Sequence, residues 1–271
     1  MKRTNKLWLA LLLTALLLLG TVATGFSAVA EGETIVDSGY CGAEGNEENA
    51  SWALNRDGTL TISGEGEVYG RVSAMGDTPW TLYNYGGVEE VQIQQVIIEP
   101  GITNVPAAMC LCNSNLTHVE IPDTVTHIDE WAFYRCSHLS YIDVPDSVTT
   151  IGASVFQCCD KLLSIRLPEQ LSCISQNTFL ECKSLESVII PKSVTLIKNG
   201  AFKEADRLSD VYFSGSEEEW NNISVQSNND ELLAATIHFI SEGPEIGPSQ
   251  PTDNYNWQPI PTSPDDLAEG D

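Results

Sequence analysis

Positive charge is scarce in this sequence. Its 271 residues include 13 Lys and Arg against 38 Asp and Glu, which gives a formal net charge of −25. A surface this acidic repels both nucleic-acid phosphates and the anionic head groups of membranes. Nucleic acid is therefore excluded as an expected partner. Solubility alone accounts for such a charge, although the charge also favours cationic partners.

Long apolar runs occur only at the N-terminus. Within residues 1–30, three basic residues precede an almost wholly apolar run over residues 7–19, and Ala-Val-Ala at residues 28–30 forms a small-residue cleavage site. This order predicts a secretory signal peptide over residues 1–30. The alternative, a retained membrane anchor, requires about 20 apolar residues. No later stretch is long and apolar enough to cross a bilayer, so we expect no membrane insertion after cleavage.

Motifs that carry catalysis or bind metals are also missing. The sequence contains no G-x-S-x-G, H-E-x-x-H or P-loop motif, and no C-x-x-C pair. Residues 64–70 read G-x-G-x-x-x-G, but they follow a predicted hairpin strand and open no helix, so they indicate a glycine-rich turn. The four histidines have no ligand spacing. We therefore expect no catalytic residues, no metal and no cofactor, and predict that the protein is not an enzyme.

A repeat of 23 residues is the dominant feature that is present. A Leu or Ile recurs at Ile93, Leu116, Leu139, Leu162, Leu185 and Leu208. An aromatic column follows at Phe133, Phe156, Phe179 and Phe202, with Cys110 in its place in the first unit. One such unit cannot bury its own apolar face, whereas stacked units align identical columns. The period therefore predicts a repeat solenoid.

Each unit predicts the same local structure. The segment L-x-x-I-x-[IVL]-P is typical of a short strand that ends at proline, because proline has no N–H to donate. The V-T-x-I segment predicts a second short extended stretch, and the segment around "WAFYRC" predicts a helical turn. The predicted fold class is a mainly β solenoid of 23-residue coils, with parallel strands along one side, short helical turns and a cap at each end.

The repeats resemble the leucine-rich repeat superfamily, in particular the BspA-like (treponemal-type) repeats. Their pattern, I-P-x-x-V-T-x-I-G-x-x-A-F-x-x-C-x-x-L-x-x-I-x-I-P, is matched at nearly every fixed position by "IPDTVTHIDEWAFYRCSHLSYIDVP". The resemblance covers residues 91–213 and departs from the pattern in the first and last units, where Asn113 and Ala205 replace the cysteine. It implies a secreted or cell-surface bacterial protein that attaches to host matrix, host cells or other bacteria.

Three of the eight cysteines share one repeat position. They are Cys136, Cys159 and Cys182, each three residues after the repeat phenylalanine. A buried free cysteine behaves as a small apolar residue, so we expect a structural cysteine column. Disulfide formation or metal binding remains the alternative.

Segments outside the repeats predict caps and a tail. Residues 31–90 predict an N-terminal β-hairpin cap, with strands near Trp52 and Ile62 joined by a glycine turn. The repeat solenoid spans residues 91–213, and residues 214–240 predict a C-terminal cap that opens with a Ser216–Glu219 capping box. Residues 241–271 hold six of the 13 prolines and no basic residue, which predicts a disordered acidic tail.

The outward strand positions are the candidate binding residues, because a repeat protein offers its ligands an extended face. The predicted binding residues are His118, Glu120, Tyr141, Asp143, Arg166, Ile189, Asp210 and Tyr212. The leading hypothesis is a non-enzymatic protein that binds a protein or glycan partner through this face. The alternative is a structural spacer without a ligand of its own. A third possibility, an extracellular hydrolase, needs a catalytic set that the sequence does not contain.

Overall fold

The repeat winds the chain into a solenoid of 23-residue coils. The computed structural model describes residues 34–70, 78–84 and 91–240. The predicted signal peptide and the predicted tail lie outside the described residues. The predicted repeat solenoid is confirmed, and each coil contributes strand segments at constant spacing along the chain.

Two rows of short strands run along the solenoid. The first row consists of β1 (Ile35–Tyr40), β2 (Ala50–Asn55), β3 (Thr59–Gly64), β4 (Gln95–Ile98), β6 (His118–Glu120), β9 (Ser164–Arg166), β11 (Ser187–Ile190), β13 (Asp210–Phe213) and β15 (Thr236–Phe239). The second row consists of β5 (Asn104–Val105), β7 (His127–Ile128), β8 (Thr150–Ile151), β10 (Cys173–Ile174), β12 (Leu196–Ile197) and β14 (Ser224–Val225). Helices are few and short: α1 (Thr81–Asn84), α2 (Glu217–Asn221), α3 (Asp230–Ala234) and a 3-10 turn at Glu47–Asn49.

The strands of successive coils pair in parallel, with a register of one full repeat. Val188 of β11, for example, lies between Ile165 of β9 and Val211 of β13. The first row is divided into two sheets, of order β1-β2-β3-β4-β6 and β15-β13-β11-β9. The division falls at residues 140–143, which match the repeat pattern but form no strand. The second row is also divided, between β8 and β10.

The apolar columns form one continuous core. The repeat phenylalanines are fully buried and stack on one another, with ring centroids 5.8 Å apart for Phe133–Phe156, 5.7 Å for Phe156–Phe179 and 5.2 Å for Phe179–Phe202. The Leu and Ile columns lie in the same cluster. Each coil therefore buries its apolar side chains against the same side chains of its neighbours, as the period predicts.

The connection around "WAFYRC" differs in detail from a helical turn. Residues at positive φ occur in pairs four residues apart: Ala108 and Cys112, Trp131 and Arg135, Ser154 and Cys158, Asn177 and Glu181, Gly200 and Glu204. The backbone N–H groups of alternate residues donate to the next coil, as from Phe133 to the carbonyl of Val155 at 3.1 Å. An α-helix would use these N–H groups within one coil. The turns, with a left-handed residue at each end, leave them free to bond the coils together.

The N-terminal hairpin continues the solenoid sheet. Strands β2 and β3 form an antiparallel hairpin, and β3 pairs in parallel with β4 of the first coil. Trp52 packs edge-on against Trp80 with ring centroids 5.9 Å apart, and the indole N–H of Trp80 donates to the carbonyl of Met109 at 2.9 Å. The aromatic side chains thus cover the open end of the core.

The C-terminal segment closes the opposite end. The predicted capping box is confirmed, because the Ser216 hydroxyl accepts from the Glu219 N–H while the Glu219 carboxylate accepts from the Ser216 N–H. After α2, β14 adds to the second strand row and β15 adds to the first. Because β15 pairs in parallel with β13, it lengthens the candidate binding face.

Candidate binding face

The first strand row presents two lines of outward side chains, which we call the strand face. In β4, β6, β9, β11 and β13, the second residue is buried and its two neighbours are partly or fully exposed. In β15 the equivalent residue, Ile237, is half-buried. Register places the first line at Thr59, Gln95, His118, Ser164, Ser187, Asp210 and Thr236, and the second at Thr61, Ile97, Glu120, Arg166, Ile189, Tyr212 and His238.

Most of the predicted binding residues lie on this face, although not all as expected. Glu120 is exposed, and its carboxylate lies 3.3 Å from Nε2 of His118. Tyr141 and Asp143 lie where the first row forms no strand, but both are at least partly exposed and Ile142 between them is buried, as in β6. Ile189 was predicted to be exposed but is half-buried, because its neighbours in register are the long side chains of Arg166 and Tyr212.

Arg166 is held by two carboxylates. Its guanidinium lies 2.9 Å from Asp146 and 3.2 Å from Glu169, and the Glu169 backbone N–H donates to Asp146 at 3.0 Å. Burial works against ionisation of Asp146, but the hydrogen bonds from Arg166 and Glu169 outweigh it, and the pKa of Asp146 is lowered. The guanidinium is therefore fixed in place on the face.

An aromatic and acidic cluster forms the C-terminal end of the strand face. The rings of Tyr212 and His238 stack with centroids 4.7 Å apart, and His238 Nε2 lies 2.7 Å from the Asp210 carboxylate. The Ser209 hydroxyl donates to the same carboxylate at 2.6 Å. Sequence reasoning missed His238 as a member of the face. Its strand lies 26 residues after Tyr212, because the C-terminal cap inserts α2 and α3 and shifts the 23-residue phase.

The Asp210 cluster predicts a pH-dependent contribution to stability. Hydrogen bonds from Ser209 and His238 lower the pKa of the Asp210 carboxyl below its ordinary value of 3.8. This contribution is present above the unfolded pKa and is lost as the pH falls through the lowered folded pKa. We expect Asp210→Asn to lower the free energy of unfolding at pH 7 by no more than about 1 kcal/mol, because the pair is partly exposed.

Chemical denaturation of Asp210→Asn and the unmodified protein at several pH values checks this. The stability difference should disappear once the pH is below the folded pKa of Asp210. Asp206→Asn, which removes an exposed carboxylate from the same coil, is the control and should show no such trend. A difference that persists unchanged at low pH would contradict the assignment.

The cysteine column lies in the turns between the strand rows. Cys136, Cys159 and Cys182 are fully buried, and their thiols donate to the carbonyls of Cys110, Phe133 and Phe156 at 3.1, 3.3 and 3.0 Å. Asn113 occupies this position in the first coil, is also fully buried, and donates to the Ile93 carbonyl at 2.8 Å. Both residue types donate to a buried backbone carbonyl, and the carbonyls that accept from the thiols also accept from backbone N–H groups at 3.0–3.1 Å.

All eight cysteines lie within the described residues and none forms a disulfide. Burial raises the pKa of Cys41 to about 12 and holds the thiols of the cysteine column protonated. Because the thiolate is the reactive form, we expect a thiol reagent to modify only the partly exposed Cys112, Cys158 and Cys173 in the native protein. A colorimetric thiol titration should reach all eight in denaturant. Rapid native modification of more than three thiols would contradict this burial.

Other kinds of site are not formed by the described residues. Within residues 34–70, 78–84 and 91–240, no group of three or more His, Cys, Asp or Glu side chains is arranged to hold a metal ion. Across the same ranges, every helix is too short or too polar to traverse a lipid bilayer.

Comparisons with known proteins agree with this architecture. Residues 103–230 match the profile of the BspA type leucine-rich repeat region in six copies, and no curated protein matches the sequence. A solved leucine-rich repeat protein from Eubacterium ventriosum is 28% identical, with a TM-score of 0.54 over 69% of this chain and 45% of that protein. The T. pallidum leucine-rich repeat protein is 21% identical, with a TM-score of 0.45 over 63% and 86%. This chain thus spans less than half of the Eubacterium protein.

Proposed function

The repeat region of this chain belongs to the BspA-type leucine-rich repeat family, and from that premise we propose that the protein binds a protein or glycan partner through its strand face. The partner is expected on a host or bacterial surface. We also propose that the protein is non-enzymatic and acts outside the cell. The extracellular location rests on the leader pattern of residues 1–30 and on the resemblance of the repeats.

One observation carries the binding proposal. Arg166, Ile189, Tyr212 and His238 stand side by side in the second line of the strand face, on adjacent hydrogen-bonded strands. Arginine and aromatic residues dominate the energetics of protein interfaces, especially around an apolar centre. Parallel strand pairing fixes the spacing of these side chains, and the Arg166 and Tyr212 contacts fix their orientation. A face organised in this way needs little ordering when a partner binds.

The proposal is tested by placing a charge at the apolar centre of the face. Ile189→Glu, combined with Tyr212→Ser, removes the apolar and aromatic contacts. The matched control is Leu196→Glu, which introduces the same charge at a half-buried outward position of β12 in the second strand row. Full-length proteins would be immobilised and exposed to host-matrix and bacterial-surface extracts, with thermal unfolding used to verify that each variant is folded.

A partner that is held by the unmodified protein and by Leu196→Glu, and lost by the double variant, would support the proposal. Capture of the same set by all three proteins would place the binding surface elsewhere. If none of the proteins captures a partner, the spacer hypothesis gains ground over the binding hypothesis.

A further inference from the structure

A second surface, on the turn edge of the solenoid, presents two aromatic rings and a cation. Trp131 and Tyr134 are partly exposed and stack with ring centroids 5.6 Å apart. Arg135 is exposed, and its Cζ lies 5.4 Å from the centroid of the Tyr134 ring. We call these three residues the turn-edge patch. It arises from one coil, lies in the turns that bond neighbouring coils together, and shares no residue with the strand face.

Trp131 occupies a backbone position that disfavours it. Its φ is 62°, in the left-handed region, where a bulky residue is a genuine outlier. The equivalent residues of the other coils, at 23-residue spacing, are Ala108, Ser154, Asn177 and Gly200. These are small residues or residues that tolerate this conformation. The fold therefore requires no indole here, and a strained residue that the scaffold does not need indicates a role at the surface.

Arg135 differs from the arginine of the strand face in its surroundings. Arg166 lies against Asp146 and Glu169, whereas Arg135 contacts the Tyr134 ring and the Cys158 thiol. Within the described residues, no carboxylate forms an ion pair with Arg135, although acidic residues outnumber basic ones 38 to 13. Its guanidinium therefore keeps donors for a carboxylate from outside, which arginine binds in a two-pronged geometry.

The geometry points to a sugar acid as the ligand: we propose that the turn-edge patch binds a glycan that carries a uronic or similar carboxylated sugar. The C–H face of the sugar ring would pack on the exposed aromatic surface, and its carboxylate would accept from Arg135. A peptide that adds a strand or docks as a helix is less well suited, because those modes use an open sheet edge or a groove. The patch lies instead on turns whose backbone N–H groups already donate to the next coil, as Trp131 does to Ala153.

The test compares one ligand in its charged and neutral forms. Trigalacturonate and its methyl ester, in which each carboxylate is replaced by a neutral ester, would be titrated into the full-length protein by calorimetry. We expect the acid to bind about tenfold more tightly than the ester, in keeping with one charge-assisted contact. Trp131→Asn should abolish binding of both sugars without lowering the midpoint of thermal unfolding, because asparagine tolerates the left-handed conformation.

Charge variants complete the design. Arg135→Gln should reduce the affinity for the acid to that for the ester. Lys203→Gln removes the same charge from another coil of the turn edge, where the lysine is paired with Glu204 at 3.2 Å, and should leave binding unchanged.

Several outcomes would overturn the proposal. They are equal affinity for acid and ester, binding retained by Trp131→Asn or Arg135→Gln in folded protein, and no binding of either sugar at millimolar concentration. Equal binding of a triglutamate peptide would mean that charge alone is recognised. None of these outcomes bears on the strand face.

Discussion

Replacing Phe156 with alanine is expected to lower the free energy of unfolding by about 3–5 kcal/mol. The side chain is fully buried in the middle of the phenylalanine stack, between Phe133 and Phe179. Its removal deletes the contacts with both neighbouring coils at once and leaves a cavity that the fixed backbone cannot fill. Urea denaturation followed by circular dichroism measures the change.

The size of the effect follows from the architecture. In a solenoid, stability is approximately the sum of the coil stabilities and of the interfaces between neighbours. Phe156 contributes to two interfaces, and backbone hydrogen bonds hold its coil at a fixed distance, as between the Phe156 N–H and the Thr178 carbonyl at 3.0 Å. The turns therefore resist collapse into the cavity, and the loss should lie toward the upper part of that range.

Leu163→Ala is the matched control. Leu163 lies in the same coil but is 49% exposed, so its truncation should change stability by no more than about 0.5 kcal/mol. If Phe156→Ala lowered the free energy of unfolding by less than about 1 kcal/mol, the stacked phenylalanines would not be the main interaction that holds neighbouring coils together. If the free energy of unfolding of the variant depended less steeply on urea concentration, this would indicate that the two halves of the solenoid unfold separately.

The sequence is sufficient to predict the columns but not the backbone hydrogen bonds between coils. Apolar residues repeat because each one packs on its own kind, so the period identifies the buried positions of every coil. The break at residues 140–143 could not be predicted, since "LSYIDVP" fits the repeat as well as "LESVIIP" does. The motif specifies which residues face the core, whereas strand pairing depends on the spacing between two backbones.

The candidate surfaces, like the fold, can be predicted from the sequence only in part. Outward positions such as Arg166 and Tyr212 follow from the alternation of the strands. His238 escapes detection because the cap shifts the phase of the repeat, although β15 pairs with β13 in the parallel register of a regular coil. The turn-edge patch also escapes, since the handedness of the turn at Trp131 is a property of the backbone. The sequence does contain a signal for this patch: the other coils have small residues at the position where this coil has Trp131.

The C-terminal cap depends on one buried amide, and Asn229→Ala is expected to lower the free energy of unfolding by about 2–4 kcal/mol. Asn229 is 1% exposed. Its side-chain oxygen accepts from the Phe202 N–H at 3.0 Å, and its amide donates to the Lys198 carbonyl at 3.0 Å. In the inner coils the same N–H finds a backbone carbonyl of the next coil, as Phe179 does with Ala201 at 2.7 Å.

The last coil has no regular successor, so a side chain takes the place of that backbone. Alanine would leave the buried Phe202 N–H without its partner, and an unpaired buried group carries its full desolvation penalty. The Lys198 carbonyl would keep only its bond from the Ala201 N–H at 3.2 Å. Asn222→Ala, at an exposed position in the same cap, should change stability by about 0.5 kcal/mol or less. Equal effects of the two substitutions in denaturant unfolding would mean that the cap is held by its apolar contacts. If only Asn229→Ala lowered the free energy of unfolding, and the Phe202 N–H exchanged faster in that variant, the amide would be shown to take the place of the backbone of a further coil.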